Sequence, residues 1–355
     1  MRVVFLIIDA LPARHVNAKT TPVLTSLAAD GAFATGRSVM TSATYPNHAT
    51  FATGALPKDH GILANWVVAN GRPTPAHKLG PQVPTLFDAC RGAGRSSACV
   101  VGDHRLIGVM GAARADEHWP PDGRLGDDIR RDGHGYAVNA EVSPRLRPFL
   151  VDSGPDLVVG HLNEPDTASH VFGPDSDAAL ESFHATDACL TEVIDTLRSR
   201  WDDTVLIVVS DHDQETSVED GGIDLWGAAE ERGLIGFPEG SGSVVWGEDA
   251  DGSAWLDAID GIGGHEQVLP DARIVWAEPR RWFQLPPGVD YPYEPGQHGG
   301  VTTRDQVGVV AGGHPAARAI AASITRRPPE AADWAATIAS LLDLDLPTAT
   351  GQVLA

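Results

Sequence analysis

The feature that most restricts the fold of this 355-residue chain is an apolar run that ends abruptly at an acidic residue. Val3 to Ile8 form such a run before Asp9, and the segment 202–213 contains a second run that ends at Asp211. Continuous apolar segments of this length are typical of parallel strands that are buried on both faces. A polar residue directly after such a strand lies at the carboxyl end of the sheet, where α/β proteins bind their ligands.

Strand-like and helix-like segments alternate along the rest of the chain. Further strands are predicted at 96–103, 156–162 and 307–313, and helices are predicted at 21–31, 176–200 and 334–347. This alternation predicts an α/β fold in which a mostly parallel sheet is covered by helices on both faces.

The composition of the chain changes between Gly221 and Gly300, where glycines are frequent. Two short apolar runs at 243–247 and 272–278 flank a helix-like stretch at 253–262. We interpret this segment as a small α+β insertion. The predicted organisation is a single catalytic α/β core formed by residues 1–220 and 298–355, with residues 221–297 as an inserted subdomain or cap.

Charge and composition exclude several classes of partner. The chain carries 48 acidic and 26 basic residues, a formal net charge of -22, which disfavours binding to nucleic-acid polymers and to anionic membranes. No apolar run approaches the ~20 residues that a membrane-spanning helix needs. Cys90, Cys99 and Cys189 are too few and too scattered for a disulfide framework, so we expect a cytoplasmic setting. The sequence leaves the oligomeric state open.

Side chains that commonly bind metals recur at the predicted strand ends and in one glycine-rich loop. They are Asp9, the segment 44–48 (TYPNH), Asp166 with His170, Asp211 with His212, and His298. Mixed aspartate and histidine ligands suit zinc or a similar divalent metal, and a set this large suits two ions rather than one. Taken singly, each element has a structural alternative, such as a helix cap, a surface contact or a loop histidine.

The order of these motifs resembles the nucleotide pyrophosphatase/phosphodiesterase family of the alkaline phosphatase superfamily. The segment from Met40 to Trp66 resembles that family's nucleophile region. The matching positions are Thr44, Tyr45-Pro46-Asn47-His48, Thr53-Gly54, His60-Gly61-Ile62, Asn65, Glu164-Pro165-Asp166 with His170 and Gly173-Pro174, Ser210-Asp211-His212, and His298-Gly299.

The resemblance implies an alkaline-phosphatase-like three-layer α/β/α sandwich that holds two divalent metal ions, with zinc favoured. One ion would bind Asp166, His170 and His298, and the other would bind Asp9, Asp211, His212 and the hydroxyl of Thr44. Thr44 would be the nucleophile that forms a phospho-threonine intermediate. The side chain of Asn65 and the backbone N–H of Thr44 would hold a non-bridging phosphoryl oxygen.

The same core chemistry serves several substrate classes, so the substrate must be argued from the surrounding residues. Because no arginine adjoins Thr44 to bind a second phosphate charge, we favour small anionic phosphodiesters or phosphoanhydrides. Alternatives are a phosphonoacetate-hydrolase-like enzyme, a phosphomonoesterase, a phosphotransferase and a non-catalytic metal-binding relative. In phosphonoacetate hydrolases the segment matching 102–106 carries lysines, which this chain lacks.

Four residues are candidates for substrate contacts. Tyr45 and Trp66 neighbour the predicted catalytic residues, and His104 and Arg105 are candidates for binding another anionic group. We expect His48 and His60 to brace the nucleophile segment. Asp213 stands where the family usually has glycine. Its carboxylate either orients His212 or is simply solvated, and we favour the first.

Overall fold

A seven-stranded sheet lies at the centre of a computed structural model that describes residues 1–249, 252–289 and 292–355. The strands of the described chain are β1 (Arg2–Ile8), β2 (Ala32–Arg37), β3 (Trp66–Ala69), β4 (Arg72–Pro75), β5 (Ser97–Val101), β6 (Glu117–Trp119), β7 (Leu157–Leu162), β8 (Thr204–Val209), β9 (Glu215–Thr216), β10 (Gly222–Ile223), β11 (Ile235–Glu239), β12 (Gly242–Trp246), β13 (Ile262–Leu269), β14 (Ala272–Ala277), β15 (Trp282–Phe283), β16 (Gly296–Gln297) and β17 (Asp305–Ala311).

Helices cover this sheet on both faces. They are α1 (Pro22–Asp30), α2 (Thr44–Thr53), α3 (Pro57–His60), α4 (Ala76–Leu79), α5 (Leu86–Ala93), α6 (Leu106–Val109), α7 (Asn139–Leu150), α8 (Glu164–Phe172), α9 (Asp177–Leu197), α10 (Leu225–Glu230), α11 (Ala254–Asp257), α12 (Pro315–Arg326) and α13 (Ala331–Leu342). None of the helices in the described ranges combines the length and the apolar character that crossing a membrane requires.

The central sheet has the strand order β2-β17-β8-β1-β7-β5-β6. Strand β17 is antiparallel to both of its neighbours, and the pairings of the other strands are parallel. Strand β1 lies between β7 and β8, with Ile7 opposite His161 on one side and Val209 on the other. The carboxyl ends of these three strands therefore meet at one edge of the sheet.

Side-chain alternation along β1 explains the three layers. Val3, Phe5 and Ile7 join a core cluster with residues of α2, α5, α12 and α13. Val4, Leu6 and Ile8 join a second cluster with residues of α1, α7 and α9 on the opposite face. The predicted α/β/α sandwich with a mostly parallel sheet is confirmed.

Several elements differ from the sequence-based expectations, among them helices α5, α7 and α12, which were not predicted. Strand β2 was not predicted, because it is a half-exposed edge strand that lacks an apolar run. The helix predicted at 253–262 is wrong over most of its length, since α11 spans only Ala254–Asp257 and Ile262 begins β13.

A second, antiparallel sheet lies within the segment that the sequence marks as an insertion, with the order β11-β12-β14-β13. Val244 and Ile274 pack into the same core cluster as β1, while Val245 and Val275 pack against residues of α10 and α11. The indole of Trp66 stacks on Phe237 of β11, with 6.5 Å between ring centroids. The assignment of residues 221–297 as an inserted subdomain, separate from the catalytic core, stays a prediction.

Candidate active site

A cavity of about 500 Å³ opens at the edge of the sheet where β1, β7 and β8 end. Asp9 follows β1 directly, and Asp211 and His212 follow β8 after one intervening residue. Asp166 and His170 project from α8, the helix that begins just after β7. The described lining includes Asp9, Thr44, Tyr45, Asn65, Asp166, His170 and His298.

Thr44 is the first residue of α2 and the only half-buried one, since the other nine residues of this helix are buried. The segment before the helix is fixed by Asn47, whose Oδ1 accepts from the backbone N–H of Val39 (3.0 Å) and whose Nδ2 donates to the carbonyl of Ala43 (2.9 Å). A hydroxyl at a helix N-terminus faces unpaired backbone N–H groups, which favour negative charge. The fold thus presents Thr44 rigidly beside an anion-attracting helix end.

Asp9, Asp211 and His212 form one buried group that can hold a metal ion. The Nε2 atom of His212 lies 3.3 Å from Asp211 Oδ2, 3.7 Å from Asp9 Oδ1 and 3.3 Å from the hydroxyl of Thr44. Because the other ring nitrogen faces the carbonyl of Asp213 (3.1 Å), which only accepts, Nδ1 carries the proton. The Nε2 lone pair of His212 therefore points at the two carboxylates and at Thr44.

Asp166, His170 and His298 form a neighbouring group. His170 Nε2 lies 3.4 Å and His298 Nε2 lies 3.9 Å from Asp166 Oδ1. His170 donates through Nδ1 to the carbonyl of Gly296 (2.8 Å), which leaves Nε2 free toward Asp166. The His212 ring stacks on that of His298 with 4.0 Å between centroids, so the two groups are adjacent.

The electrostatics of these groups are those of a site built for cations. Burial, reinforced by Asp211, raises the pKa of Asp9 well above its ordinary value. At Asp166 burial is the largest influence and acts upward, but His170, His298 and His212 together outweigh it and lower the pKa of that carboxyl. Burial, with His212 beside it, lowers the pKa of His298 well below its ordinary value.

Two buried carboxylate oxygens that lack a hydrogen-bond partner in the described part of the chain indicate whether a metal ion fits this site. Asp9 Oδ1 and Asp211 Oδ2 are buried and have no hydrogen-bond partner among the described residues. Leaving such acceptors unsatisfied is unfavourable unless a cation completes them. Two bare carboxylate oxygens beside an available histidine nitrogen fit a divalent ion bound by mixed oxygen and nitrogen ligands.

His161 is a buried histidine beside Asp9, and the sequence did not indicate a role for it. It lies on β7 opposite Ile7, and therefore on the same face of the sheet as Asp9. Its Nε2 lies 2.8 Å from Asp9 Oδ2, and its ring meets that of His48 with 4.9 Å between centroids. Asp9, His48 and His161 together form a further buried cluster of metal-binding side chains, and Asp166, His212 and His298 form another. A histidine inside an otherwise apolar strand was the available signal.

Two further hydrogen bonds near the site, made by Gln214 and Glu239, were not predicted from the sequence. Gln214 donates through Nε2 to Asp166 Oδ1 at 2.6 Å, so it holds one of the predicted ligands. Glu239 accepts at Oε1 from the backbone N–H of Asn65 at 2.6 Å. Neither contact has a local sequence signal, because each joins segments that are 48 or 174 residues apart.

The expectation for Asp213 is wrong. Its carboxylate binds the guanidinium of Arg14, with oxygens 2.8 and 2.9 Å from Nη1, instead of orienting His212. The contact with His212 is made by the backbone carbonyl of Asp213. A long arginine on the first loop reaches this carboxylate, and its charge satisfies the acid better than a neutral imidazole does.

The histidines expected to brace the nucleophile segment make such contacts. His48 donates from Nδ1 to the carbonyl of Thr44 at 2.8 Å, within α2. His60 Nε2 lies 3.0 Å from the hydroxyl of Thr50, and burial lowers its pKa to about 3.

Of the four candidate substrate-binding residues, one belongs to the described lining of the cavity and three do not. Tyr45 lines the cavity, whereas Trp66, His104 and Arg105 are outside its described lining. His104 and Arg105 face a separate surface pocket, and Trp66 covers Phe237. From the same loop, the neighbouring Asp103 does line the cavity; burial raises the pKa of this carboxyl to about 7. The substrate roles of Trp66, His104 and Arg105 stay predictions.

Similar sequences include snake-venom enzymes. Venom phosphodiesterase from Macrovipera lebetinus is 25% identical over 194 residues, which are 50% of this chain and 21% of the venom protein. Venom phosphodiesterase 2 from Crotalus adamanteus is 24% identical over 195 residues, 50% of this chain and 22% of the relative. The matched part of the chain therefore spans about a fifth of the length of these relatives.

Solved structures with the same fold cover nearly the whole chain. Murine ectonucleotide pyrophosphatase/phosphodiesterase 5 superposes with a TM-score of 0.75 at 16% identity, covering 99% of this chain and 98% of that chain. Phosphonoacetate hydrolase from Sinorhizobium meliloti, in complex with phosphonoformate, gives 0.67 at 18% identity, covering 87% of this chain and 89% of that chain. At these identities the likeness establishes the fold.

A family-level comparison goes further than the individual relatives. The profile described as type I phosphodiesterase / nucleotide pyrophosphatase matches residues 3–271, from β1 to the turn before β14. This range includes Thr44, Asn65, Asp166 and Asp211, and it covers well over half of the chain. The chain therefore belongs to the type I phosphodiesterase / nucleotide pyrophosphatase family.

Proposed function

We propose that this protein is a metal-dependent hydrolase that cleaves phosphodiester or phosphoanhydride bonds of small molecules, with Thr44 as the nucleophile. The observation that carries the proposal is the position of the Thr44 hydroxyl. It stands at the start of the buried helix α2, 3.3 Å from Nε2 of His212, where it adjoins the buried aspartates. Family membership and the shared fold support the same reaction class.

The metal sites belong to the proposal. Asp9, Asp211, His212 and Thr44 would hold one divalent ion, and Asp166, His170 and His298 would hold the second, with zinc favoured by the mixed nitrogen and oxygen donors. Such ions lower the pKa of a hydroxyl or water and neutralise charge on a phosphoryl group.

The protein's own groups then account for binding and attack. The first backbone N–H groups of α2 and the side chain of Asn65 bind non-bridging oxygens of the phosphoryl group. Thr44 Oγ loses its proton to solvent and attacks the phosphorus in line with the leaving oxygen. A phosphorus–oxygen bond forms to Thr44 while the bond to the leaving group breaks, and the leaving oxygen takes up a proton from solvent. Water then releases the phosphoryl group from Thr44 and restores the hydroxyl.

A nucleotide-like substrate is favoured among small phosphoesters. An inactive variant of murine ectonucleotide pyrophosphatase/phosphodiesterase 5 has been solved in complex with AMP. In this chain aromatic side chains line the cavity and offer flat surfaces for a base or another planar group. They are Tyr45, Tyr136, Trp282, Phe283 and Tyr293.

Phosphonoacetate hydrolysis is the second candidate, because that enzyme shares the fold. Asp103 argues against it. The loop after β5 turns this carboxyl into the cavity, where an acid disfavours a substrate that carries its own carboxylate. Diester hydrolysis is therefore the better-supported function.

The test is a substrate panel assayed with added zinc. We expect hydrolysis of bis(p-nitrophenyl) phosphate to exceed that of p-nitrophenyl phosphate and to stop when a chelator is added. Thr44→Ala should abolish turnover, whereas Thr53→Ala, at the buried end of the same helix, should retain it. Release of phosphate from phosphonoacetate faster than cleavage of any diester would favour the second candidate. Normal turnover by Thr44→Ala would exclude the proposed nucleophile.

We also propose that the protein resides in the cytoplasm. Its three cysteines are free thiols, and two of them, Cys90 and Cys99, are buried without a disulfide. Burial raises the pKa of Cys99 beyond its ordinary range, so this thiol is unreactive. Cell fractionation that places the protein in an oxidising compartment would contradict this proposal.

A further inference from the structure

Glu239 is a buried acid that the proposed reaction does not use. It ends β11 in the inserted sheet, and its side chain lines the same cavity as Thr44 and Asn65. Only 5% of the residue is exposed. Its Oε1 accepts from the backbone N–H of Asn65 at 2.6 Å, so the insertion places a carboxyl directly beside the residue that binds the phosphoryl group.

The hydrogen bond with Asn65 does not explain why this residue is an acid. A glutamine would accept the same N–H through its amide oxygen at no electrostatic penalty. Among the described residues, no lysine, arginine or histidine forms an ion pair with Glu239. Burial raises the pKa of this carboxyl to about 8, which reflects the absence of a compensating charge. A buried acid without a cation destabilises the fold and therefore calls for another role.

We propose that Glu239 selects the charge of the phosphoryl group, favouring monoanionic diesters over dianionic monoesters. The proposal rests on the proposed function, because it assigns a substrate class to the same site. A diester has one negative charge on its two non-bridging oxygens, whereas a monoester has a further oxygen that carries a second charge. Once Glu239 is ionised, its carboxylate beside Asn65 repels that second charge.

The expected size of the effect follows from Coulomb's law. At the effective dielectric of about 20 that applies to protein sites, a unit charge about 12 Å away changes the preference for one extra negative charge by roughly tenfold, and a closer charge changes it by more, so tenfold is the smallest effect expected. Because the charge acts on whichever monoester is bound, the effect should appear for several leaving groups. A packing role for Glu239 would instead change the rates for monoesters and diesters alike.

The decisive variant is Glu239→Gln, which keeps the acceptor for Asn65 and removes the charge. With zinc present at about pH 9, where Glu239 is ionised, the ratio of kcat/KM for p-nitrophenyl phosphate to that for bis(p-nitrophenyl) phosphate should rise at least about tenfold. At about pH 6, where Glu239 keeps its proton, the ratio should not change. Glu239→Ala removes the acceptor as well, so its rates should fall while the ratio moves in the same direction. The matched control is Glu230→Gln, which removes an exposed acid of the insertion and should leave the ratio unchanged. An unchanged ratio in Glu239→Gln at the higher pH would overturn the proposal.

Binding of inorganic phosphate separates this proposal from the proposed function. In the Thr44→Ala background with zinc bound, calorimetry at about pH 9, where Glu239 is ionised, should show that Glu239→Gln binds phosphate at least about tenfold more tightly. Equal affinity would overturn the role of Glu239, whatever reaction the protein catalyses. If the wild type cleaves no phosphoester while the variant still binds phosphate more tightly, the proposed hydrolysis fails and the charge selection stands.

Discussion

Replacing His161 with phenylalanine should weaken both the fold and its capacity to bind metal. The side chains of His161 and Asp9 are 0% and 1% exposed, and the contact between Nε2 and Oδ2 measures 2.8 Å. Phenylalanine preserves a ring against His48 but has no donor for Asp9. The variant therefore removes one polar contact and leaves most of the packing in place.

The magnitude follows from what Asp9 loses. Its Oδ1 already has no partner among the described residues, so the substitution leaves both carboxylate oxygens without a side-chain donor. Leaving a buried polar atom without its hydrogen-bond partner lowers the free energy of unfolding by about 2 kcal/mol. Losing the residue that orients a ligand typically weakens metal affinity by roughly 10- to 100-fold.

Urea unfolding in the presence of a chelator measures the first effect, and competition with a chromophoric zinc chelator measures the second. His60→Phe is the matched control, because it replaces an equally buried histidine whose partner, Thr50, is a neutral hydroxyl 3.0 Å away. That control should lose stability but keep its zinc affinity. If His161→Phe binds zinc as tightly as the wild type, His161 does not orient Asp9 for metal binding.

Three further outcomes are expected. Gln214→Leu should weaken zinc binding by roughly tenfold in the same competition assay, because Asp166 loses the 2.6 Å hydrogen bond that orients it. Removing bound metal with a chelator should lower the melting temperature, and adding zinc back should restore it in proportion to the logarithm of its concentration, since the ion binds only the folded chain. Glu239→Gln should flatten the pH dependence of stability between about 4.5 and about 8. In that window the folded wild type keeps a proton on Glu239 that the unfolded chain has lost. Its free energy of unfolding therefore falls by up to about 1.4 kcal/mol for each unit by which the pH rises. Urea unfolding at several pH values measures this slope.

The metal-binding residues that could be predicted from the sequence are those whose position follows from a single local pattern. Asp9 and Asp211 follow apolar runs, and strands that end at the same edge of the sheet bring the residues after them into one buried group. The four-residue spacing of Asp166 and His170 likewise places both on one face of α8.

Contacts that depend on register or on long-range packing gave no such signal. His161 reaches Asp9 only because β7 pairs with β1 so that Ile7 lies opposite His161. The carboxylate of Asp213 is bound by Arg14, which is 199 residues away, and the sequence offers nothing to choose that partner over the adjacent His212. Strand β2 lacks an apolar run because it is a half-exposed edge strand.

The origin of the lining residues separates the chemistry of the site from its selectivity. The predicted metal ligands and Thr44 come from loops and helices at the end of the central sheet, including the loop after β16 that carries His298. Glu239, Trp282 and Phe283 come from the segment that the sequence marks as an insertion. Changes in that segment can therefore alter the charge and shape of the accepted substrate without altering a ligand.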